Sequence, residues 1–322
     1  MQEKLYSSNG NIMYVYIVMK KFTDVEHPLK ITEIMELIEK EYGEKISRKT
    51  VERNIKVLKE KFNIVIEEIE HKYYMDKEDY EFESYEIRCL VDIINYSRFL
   101  DESQAKQLTY KLIHQLNEYD KKSFDSYEKY MKDAKTINKD VFFNIEIIAE
   151  AILNKSYIKF DYYKYNLKKQ FELRKSFNVF PVTIICEIGQ YYLIAANKDK
   201  ELFYFRLDRI KNISLKDEKF VNISKKQLND FVESSIGMYG GKKEKIIALL
   251  DNSLIDDAIE TFGKNVKISQ YDKNRFKMET EVSLKGFKNW ALRHLEDAEV
   301  IHPKALKNDI ITVLANALKK LN

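Results

Sequence analysis

The segment Ser47-Arg48-Lys49-Thr50-Val51-Glu52-Arg53-Asn54-Ile55-Lys56 concentrates side chains suited to holding a polyanion. At helical spacing Val51, Ile55 and Leu58 face inward, which leaves Arg48, Lys49, Arg53 and Lys56 on the outer face or its margins. Arginine bonds guanine bidentately, and Ser or Thr hydroxyls at a helix start hold phosphate. Arg48, Lys49, Arg53 and Lys56 are therefore candidates for base or phosphate contacts, and Ser47 and Thr50 for fixing the helix on a nucleic-acid backbone. Residues 45–61 carry seven basic side chains against two acidic, about +5, although the whole chain is only +3.

A second basic island spans residues 154–216, with thirteen Lys and Arg against six Asp and Glu and thirteen aromatics among them. Arginine beside aromatic rings suits phosphate pairing combined with base stacking. In Tyr191-Tyr192-Leu193-Ile194, strand alternation sends Tyr192 to the face opposite Tyr191 and Leu193, so one tyrosine is free to stack. In Phe205-Arg206-Leu207-Asp208-Arg209-Ile210, Arg206 and Asp208 share a face, with Arg209 turned away unless a bulge intervenes. Arg174, Arg206 and Arg209 with Tyr192 are the candidate anion- and base-binding residues, and Asp208 is expected to orient an arginine. Residues 78–140, between the islands, carry fourteen acids and ten bases.

Catalytic and metal chemistry finds no comparable signal. His27, His71, His114, His294 and His302 include no i, i+4 pair, and Cys89 and Cys186 form no CxxC, so no metal or cofactor is expected. No G-x-S-x-G elbow or kinase signature set occurs. Gly237-Met238-Tyr239-Gly240-Gly241-Lys242 lacks the spacing and hydroxyl of a phosphate loop and is expected to be an interdomain hinge. The expectation is a protein that is not an enzyme.

Positioning these residues requires several elements, and 322 residues suffice for two or three domains. Helical spacing recurs in residues 12–22, in Ile31, Met35, Ile38 and Tyr42 with Gly43 at the stop, and from Ser47 as N-cap through Phe62. Three short helices with a brief break before the third predict a helix-turn-helix. Two β-rich runs follow, split by Glu67-Glu68 and by Glu70-His71-Lys72. They predict a wing, with Lys72 and Tyr73 at its tip reaching a phosphate or the minor groove. Residues 79–137 read as helical throughout, with Leu90, Ile93, Ile94 and Ser97, then Leu108, Leu112, Ile113 and Leu116, as stripes. A helix over residues 140–153 then precedes short strands over 157–165, 171–180, 183–187, 191–197, 203–207 and 210–215, a small barrel or curled sheet. Beyond the glycines, βαββα with a final strand and helix predicts a small α+β sandwich. Two cysteines, no secretory leader pattern and an apolar stretch too short for a bilayer predict a cytoplasmic protein without membrane contact.

Tyr191-Tyr192-Leu193, the downstream Phe205-Arg206-Leu207-Asp208-Arg209-Ile210, and the upstream Arg174 and Pro181 resemble the WYL domain, whose name describes such a triplet. Residues 287–306, with Trp290 and Pro303, are similar to the C-terminal extension that often follows it. Phe180 stands before Pro181 where many members carry a polar residue or His. The resemblance implies a bacterial transcription factor, a repressor in several members, whose Sm-like or SH3-like barrel senses nucleotides or nucleic-acid fragments.

The expected fold class is α+β multidomain. A winged helix-turn-helix occupies residues 1–77, a helical connector 78–139, a small Sm/SH3-like β-barrel 140–235 and a C-terminal α+β sandwich 236–322. The expected function is a ligand-responsive, DNA-binding regulator. Its partners are a double-stranded operator, a nucleotide or single-stranded nucleic-acid ligand, and a second copy of the chain. The alternative is an accessory module whose basic barrel binds single-stranded nucleic acid and regulates a partner enzyme.

Overall fold

The computed structural model describes residues 3–124, 135–187, 189–219, 223–264 and 266–321, with side chains described from residue 11 onward. The chain divides into two units, Met1–Lys139 and Asp140–Asn322. Mixed helices and antiparallel sheets make it an α+β protein. Among the described residues no helix is long and apolar enough to cross a membrane.

In the first unit, α1 (Glu3–Phe22), α2 (Ile31–Tyr42) and α3 (Arg48–Phe62) bury one stripe each. Val15, Val18 and Met19 meet Ile31, Ile34 and Ile38, together with Val51, Ile55 and Leu58. Gly43 closes α2 at φ 72°, and Ser47 opens α3 by accepting the Thr50 N–H at 3.3 Å. α1 is longer than the short helix expected.

The hairpin β1 (Ile66–Ile69) and β2 (Lys72–Met75) differs from expectation in its turn. Ile69 pairs with Lys72, so the turn is Glu70-His71, both with positive φ (52° and 62°), as a two-residue I′ turn requires. Glu67 and Glu68 lie within β1 rather than splitting two runs. Lys72 and Tyr73 are not the tip, and they open the second strand. The hairpin is tied to the helices by fully buried Thr23. Its Oγ1 donates to the Met19 carbonyl at 2.6 Å and accepts the Met75 N–H at 2.9 Å.

The segment expected to be one helix is three: α4 (Ser84–Tyr96), α5 (Glu102–Ile113) and α6 (Glu118–Lys122). No Gly or Pro separates them. The breaks are made by short polar caps instead, with Asp101 accepting from Ser103 and Gln104, and Asn117 from Tyr119 and Asp120. The buried side of α4 is Ile87 and Val91, so the predicted Leu90–Ile93–Ile94 stripe is displaced and Ile93 is exposed. The part of the helical expectation that covers residues 125–134 lies outside the described residues.

The second unit begins with α7 (Val141–Asn154), which covers a five-stranded antiparallel sheet of order β6-β5-β4-β3-β7. Its strands are β3 (Ser156–Tyr165), β4 (Phe171–Glu187), β5 (Gln190–Ala196), β6 (Leu202–Arg206) and β7 (Ile210–Lys219). Two expected strands are a single β4. It pairs with β3 through Val179 and with β5 from Phe180, and an irregularity lies between Pro181 and Thr183, where the missing proline N–H is tolerated. Ile148 and Ala151 of α7 pack on Ile158, Phe160, Leu193 and Leu207. Each fully buried large side chain there contributes about 1.5–3 kcal/mol.

α8 (Lys225–Ser234), not expected from the sequence, leads to the turn at residues 236–241. That turn is packed rather than a bare hinge. A Cβ on Gly240 would lie 2.5 Å from the Phe231 ring, and the Ser283 hydroxyl donates to the Tyr239 carbonyl. The remaining elements follow the expected order: β8 (Lys243–Asp251), α9 (Ile255–Phe262), β9 (Lys267–Gln270), β10 (Arg275–Ser283), α10 (Leu284–Arg293), β11 (Ala298–His302) and α11 (Lys304–Leu321). The sheet order is β11-β8-β10-β9, and Phe287 and Trp290 of α10 fill the core against Ile246, Ala248 and Leu250.

On β10, hydrogen bonds from Lys277 and then Lys245 hold Glu279 down from 4.5 to about 2. A carboxylate lowered in the folded state adds stability that is fully present above its unfolded value and is lost as pH falls through the folded one. The melting temperature is therefore expected to fall between pH 4.5 and about 2. Glu279→Gln should flatten that part of a melting-temperature profile against pH.

Candidate nucleic-acid and anion sites

α3 presents Arg48, Lys49, Arg53 and Lys56 to solvent, and the helix is capped by Ser47 at its start and Asn63 at its end. These cations are not equivalent. Arg48 Nε is bonded to Glu52 at 2.9 Å and Lys56 Nζ lies 3.7 Å from Glu60, whereas Lys49 and Arg53 have no ion-pair partner among the described residues. Lys49, Arg53 and Lys56 stand at i, i+4 and i+7, one face of the helix. The Ser47 hydroxyl is engaged with Thr50, both with its N–H and with its Oγ1 at 2.9 Å. Asn54 is buried in the core, so its amide does not share the basic face.

The hairpin beside this face is acidic, with Glu67, Glu68 and Glu70 against Lys72. Tyr73 exchanges two backbone hydrogen bonds with Leu29, at 2.9 and 2.7 Å, and its ring packs against the core. Burial, followed by the charge and hydrogen bond of Glu68, raises its phenol above the ordinary value.

In the second unit Arg206 ends β6 and a 3-10 turn, Leu207–Arg209, replaces strand alternation. Leu207 points into the core, and the Arg206 guanidinium grips Asp208 bidentately, Nε at 3.0 Å and Nη2 at 2.8 Å. Burial alone would lower Arg206, but the hydrogen bond and charge of Asp208 outweigh it and raise the guanidinium above its ordinary value. The turn is clamped from behind by Asn144 of α7, whose buried amide donates to the carbonyls of Leu207 and Ile210 at 3.5 and 2.8 Å.

Tyr192 pairs with Arg206 across β5 and β6. Its phenol is raised first by burial, and it senses Arg206, Asp208, Tyr162 and Arg209. Arg209 keeps a buried Nε with no hydrogen-bond partner among the described residues. Arg174 is the extra residue of a β-bulge, because Tyr162 pairs with Lys175 while Tyr163 pairs with Leu173. A bulge of this kind re-aims the side chain it carries. Burial, then the charges of Arg174 and Arg209, lowers Lys164, so both arginines repel it.

The four predicted residues thus converge, and the sequence reading missed three that join them. Tyr162 accepts the Arg206 backbone N–H at 3.3 Å, Lys164 adds a cation, and Asn144 fixes the turn. Tyr162 and Lys164 are two residues apart on one strand face, a spacing visible in the aromatic–charged alternation of β3. With Asp208 neutralising one arginine, the cluster keeps a net positive charge suited to a phosphate, beside half-buried phenols.

The family model for the WYL domain matches residues 144–215. No curated protein matches the chain. Among solved structures, proteasome accessory factor B/C (PafBC) of Arthrobacter aurescens is similar at 13% identity and a TM-score of 0.29, over 97% of this chain and 48% of that one. This chain thus spans about half of that protein's length. A CRISPR Cas-related protein is similar at 14% identity and a TM-score of 0.37, over 74% of this chain and 72% of that one. The matched segment begins at Asn144, the clamp on the 3-10 turn, and runs through the tyrosine triplet and the arginine turn into β7: this chain contains a WYL domain.

Proposed function

We propose that the chain is a ligand-responsive, DNA-binding transcriptional regulator. In this reading residues 1–77 are a winged helix-turn-helix whose α3 enters the major groove, and residues 78–139 connect it to an Sm/SH3-like WYL barrel at 140–235. The C-terminal sandwich at 236–322 is the extension domain. The observation that carries the reading is the outer face of α3, where Lys49 and Arg53 are exposed and unpaired on a helix held by its own core. The cluster of Arg174, Arg206, Arg209 and Tyr192 takes a nucleotide or a nucleic-acid fragment. Ligand and operator influence each other only if the ligand binds the two states of the protein with different affinity. A homodimer reading a two-fold-related site is the expected assembly.

The test is a fluorescence-anisotropy titration against the DNA upstream of its own gene, a scrambled duplex and a single strand, at two salt concentrations. Preference for the upstream duplex that persists at the higher salt supports the regulator. Equal binding of all three, collapsing with salt, favours instead an accessory module that binds single strands through its basic sheet.

A further inference from the structure

We propose that residues 163–175 form a two-stranded arm that binds single-stranded nucleic acid, extending the arginine cluster so that the ligand is a strand of several nucleotides. The proposal rests on the reading of that cluster as an anion site.

The arm follows from the pairing. β7 accompanies β3 only as far as Tyr162, and β5 joins β4 only from Phe180. Between these points β3 and β4 pair with each other alone, Tyr163 with Leu173 and Tyr165 with Phe171. The tip is nonetheless ordered by hydrogen bonds. The Asn166 side chain accepts from the N–H groups of Lys168 and Gln170, both at 3.0 Å, and its own N–H donates to the Gln170 carbonyl at 2.9 Å. Lys169 sits at φ 60°, where glycine would be unstrained, so a cation is held at the tip against its backbone preference.

Composition and exposure then indicate the occupant. Residues 163–175 contain five basic side chains and one acidic. None of Lys164, Lys168, Lys169, Arg174 and Lys175 has an ion-pair partner among the described residues. One face carries Tyr163, Tyr165, Phe171 and Leu173. Tyr165 and Leu173 are each 50% exposed, and Leu167 at the tip is fully exposed. Lys211 lies over the Tyr163 and Phe171 rings. Unpaired cations alone suit any polyanion, but the half-exposed Tyr165 ring, supported by Phe171 at a centroid distance of 4.5 Å, suits a base whose face is free, which a duplex does not offer. Arg174 links arm and cluster, since its bulge lies opposite Tyr162, whose hydroxyl accepts the Arg206 N–H, and opposite Tyr163, where the arm begins. The three strand steps from Tyr162 to Tyr165 add roughly 10 Å of track before the turn, room for more than one nucleotide.

The experiment measures anisotropy of the full chain with labelled thymidylate as a trinucleotide and as a dodecanucleotide. The variants are Lys168→Glu with Lys169→Glu, and separately Tyr165→Ser, all at exposed positions. Each is expected to weaken the dodecanucleotide at least about tenfold and the trinucleotide by no more than about twofold. Arg174→Ala is expected to weaken both lengths. If the arm variants bind the dodecanucleotide as the parent does, the arm is excluded while the cluster stands. A duplex dodecamer competing as well as the single strand would also overturn the proposal. If the parent binds neither length, arm and cluster reading fall together.

Discussion

Arg53→Glu is expected to reduce affinity for the operator duplex by at least about a hundredfold while changing stability by less than about 0.5 kcal/mol. The separation of the two effects follows from the position of the side chain. Arg53 is exposed, touches no acid among the described residues and adds nothing to the core, which α3 fills with Val51, Ile55 and Leu58. A glutamate there faces Lys49 at i−4 and Lys56 at i+3, so the helix itself gains rather than loses favourable pairs. The duplex loses one base or phosphate contact, about 1–3 kcal/mol, and meets a repelling charge in its place. The slope of log affinity against log salt should become shallower by about 1 to 2. Arg48→Ala should cost less, because Glu52 already holds that guanidinium at 2.9 Å and must release it before DNA can use it. The acidic hairpin gives little electrostatic help, so affinity has to come from α3. An Arg53→Glu protein that bound its operator unchanged, with the parent's salt slope, would remove α3 from the groove.

The elements that were legible are those specified within one segment. α2 and α3 announce themselves by apolar spacing, by Gly43 and by the Ser47 cap, and the C-terminal βαββαβα order follows from alternation of period. α8 was not expected, although Ser224 and Gln227 form a capping box ahead of Leu228, Phe231 and Val232 at helical spacing. What misled was punctuation without glycine or proline. Glu70-His71 makes a turn that Asn-Gly usually makes, and Asp101 and Asn117 break helices that composition alone runs together.

The site divides in the same way. The Arg206–Asp208 partnership was readable from two residues of one motif, although a 3-10 turn and not strand alternation creates it. The aim of Arg174 depends on a bulge that exists only in the pairing of β3 with β4, and no local pattern in either strand contains it. The clamp by Asn144 joins residues more than sixty positions apart. Such contacts are properties of register and packing, and local spacing carries no trace of them.

Arg206→Ala is expected to leave operator binding largely intact, to abolish the response to ligand, and to destabilise the second unit by about 3 kcal/mol. Asp208→Ala is expected to destabilise it by only about 1–2 kcal/mol. The asymmetry comes from exposure: the Asp208 side chain is 5% exposed and the Arg206 side chain 28%. Removing the arginine takes a bidentate partner from a carboxylate that is almost wholly buried, whereas removing the aspartate leaves a guanidinium that water reaches in part. The double variant should therefore be more stable than the sum of the two losses predicts, with a coupling of about 1–3 kcal/mol measured by denaturant titration. Ligand response separates a binding role from a structural one. If Arg206 serves only to hold Asp208, the double variant, having lost both members of the pair, should regain the response along with part of the stability. If Arg206 binds the anion through the donors that Asp208 leaves free, the double variant regains stability and stays unresponsive, and that second outcome is the one the cluster with Arg174, Arg209 and Lys164 leads us to expect.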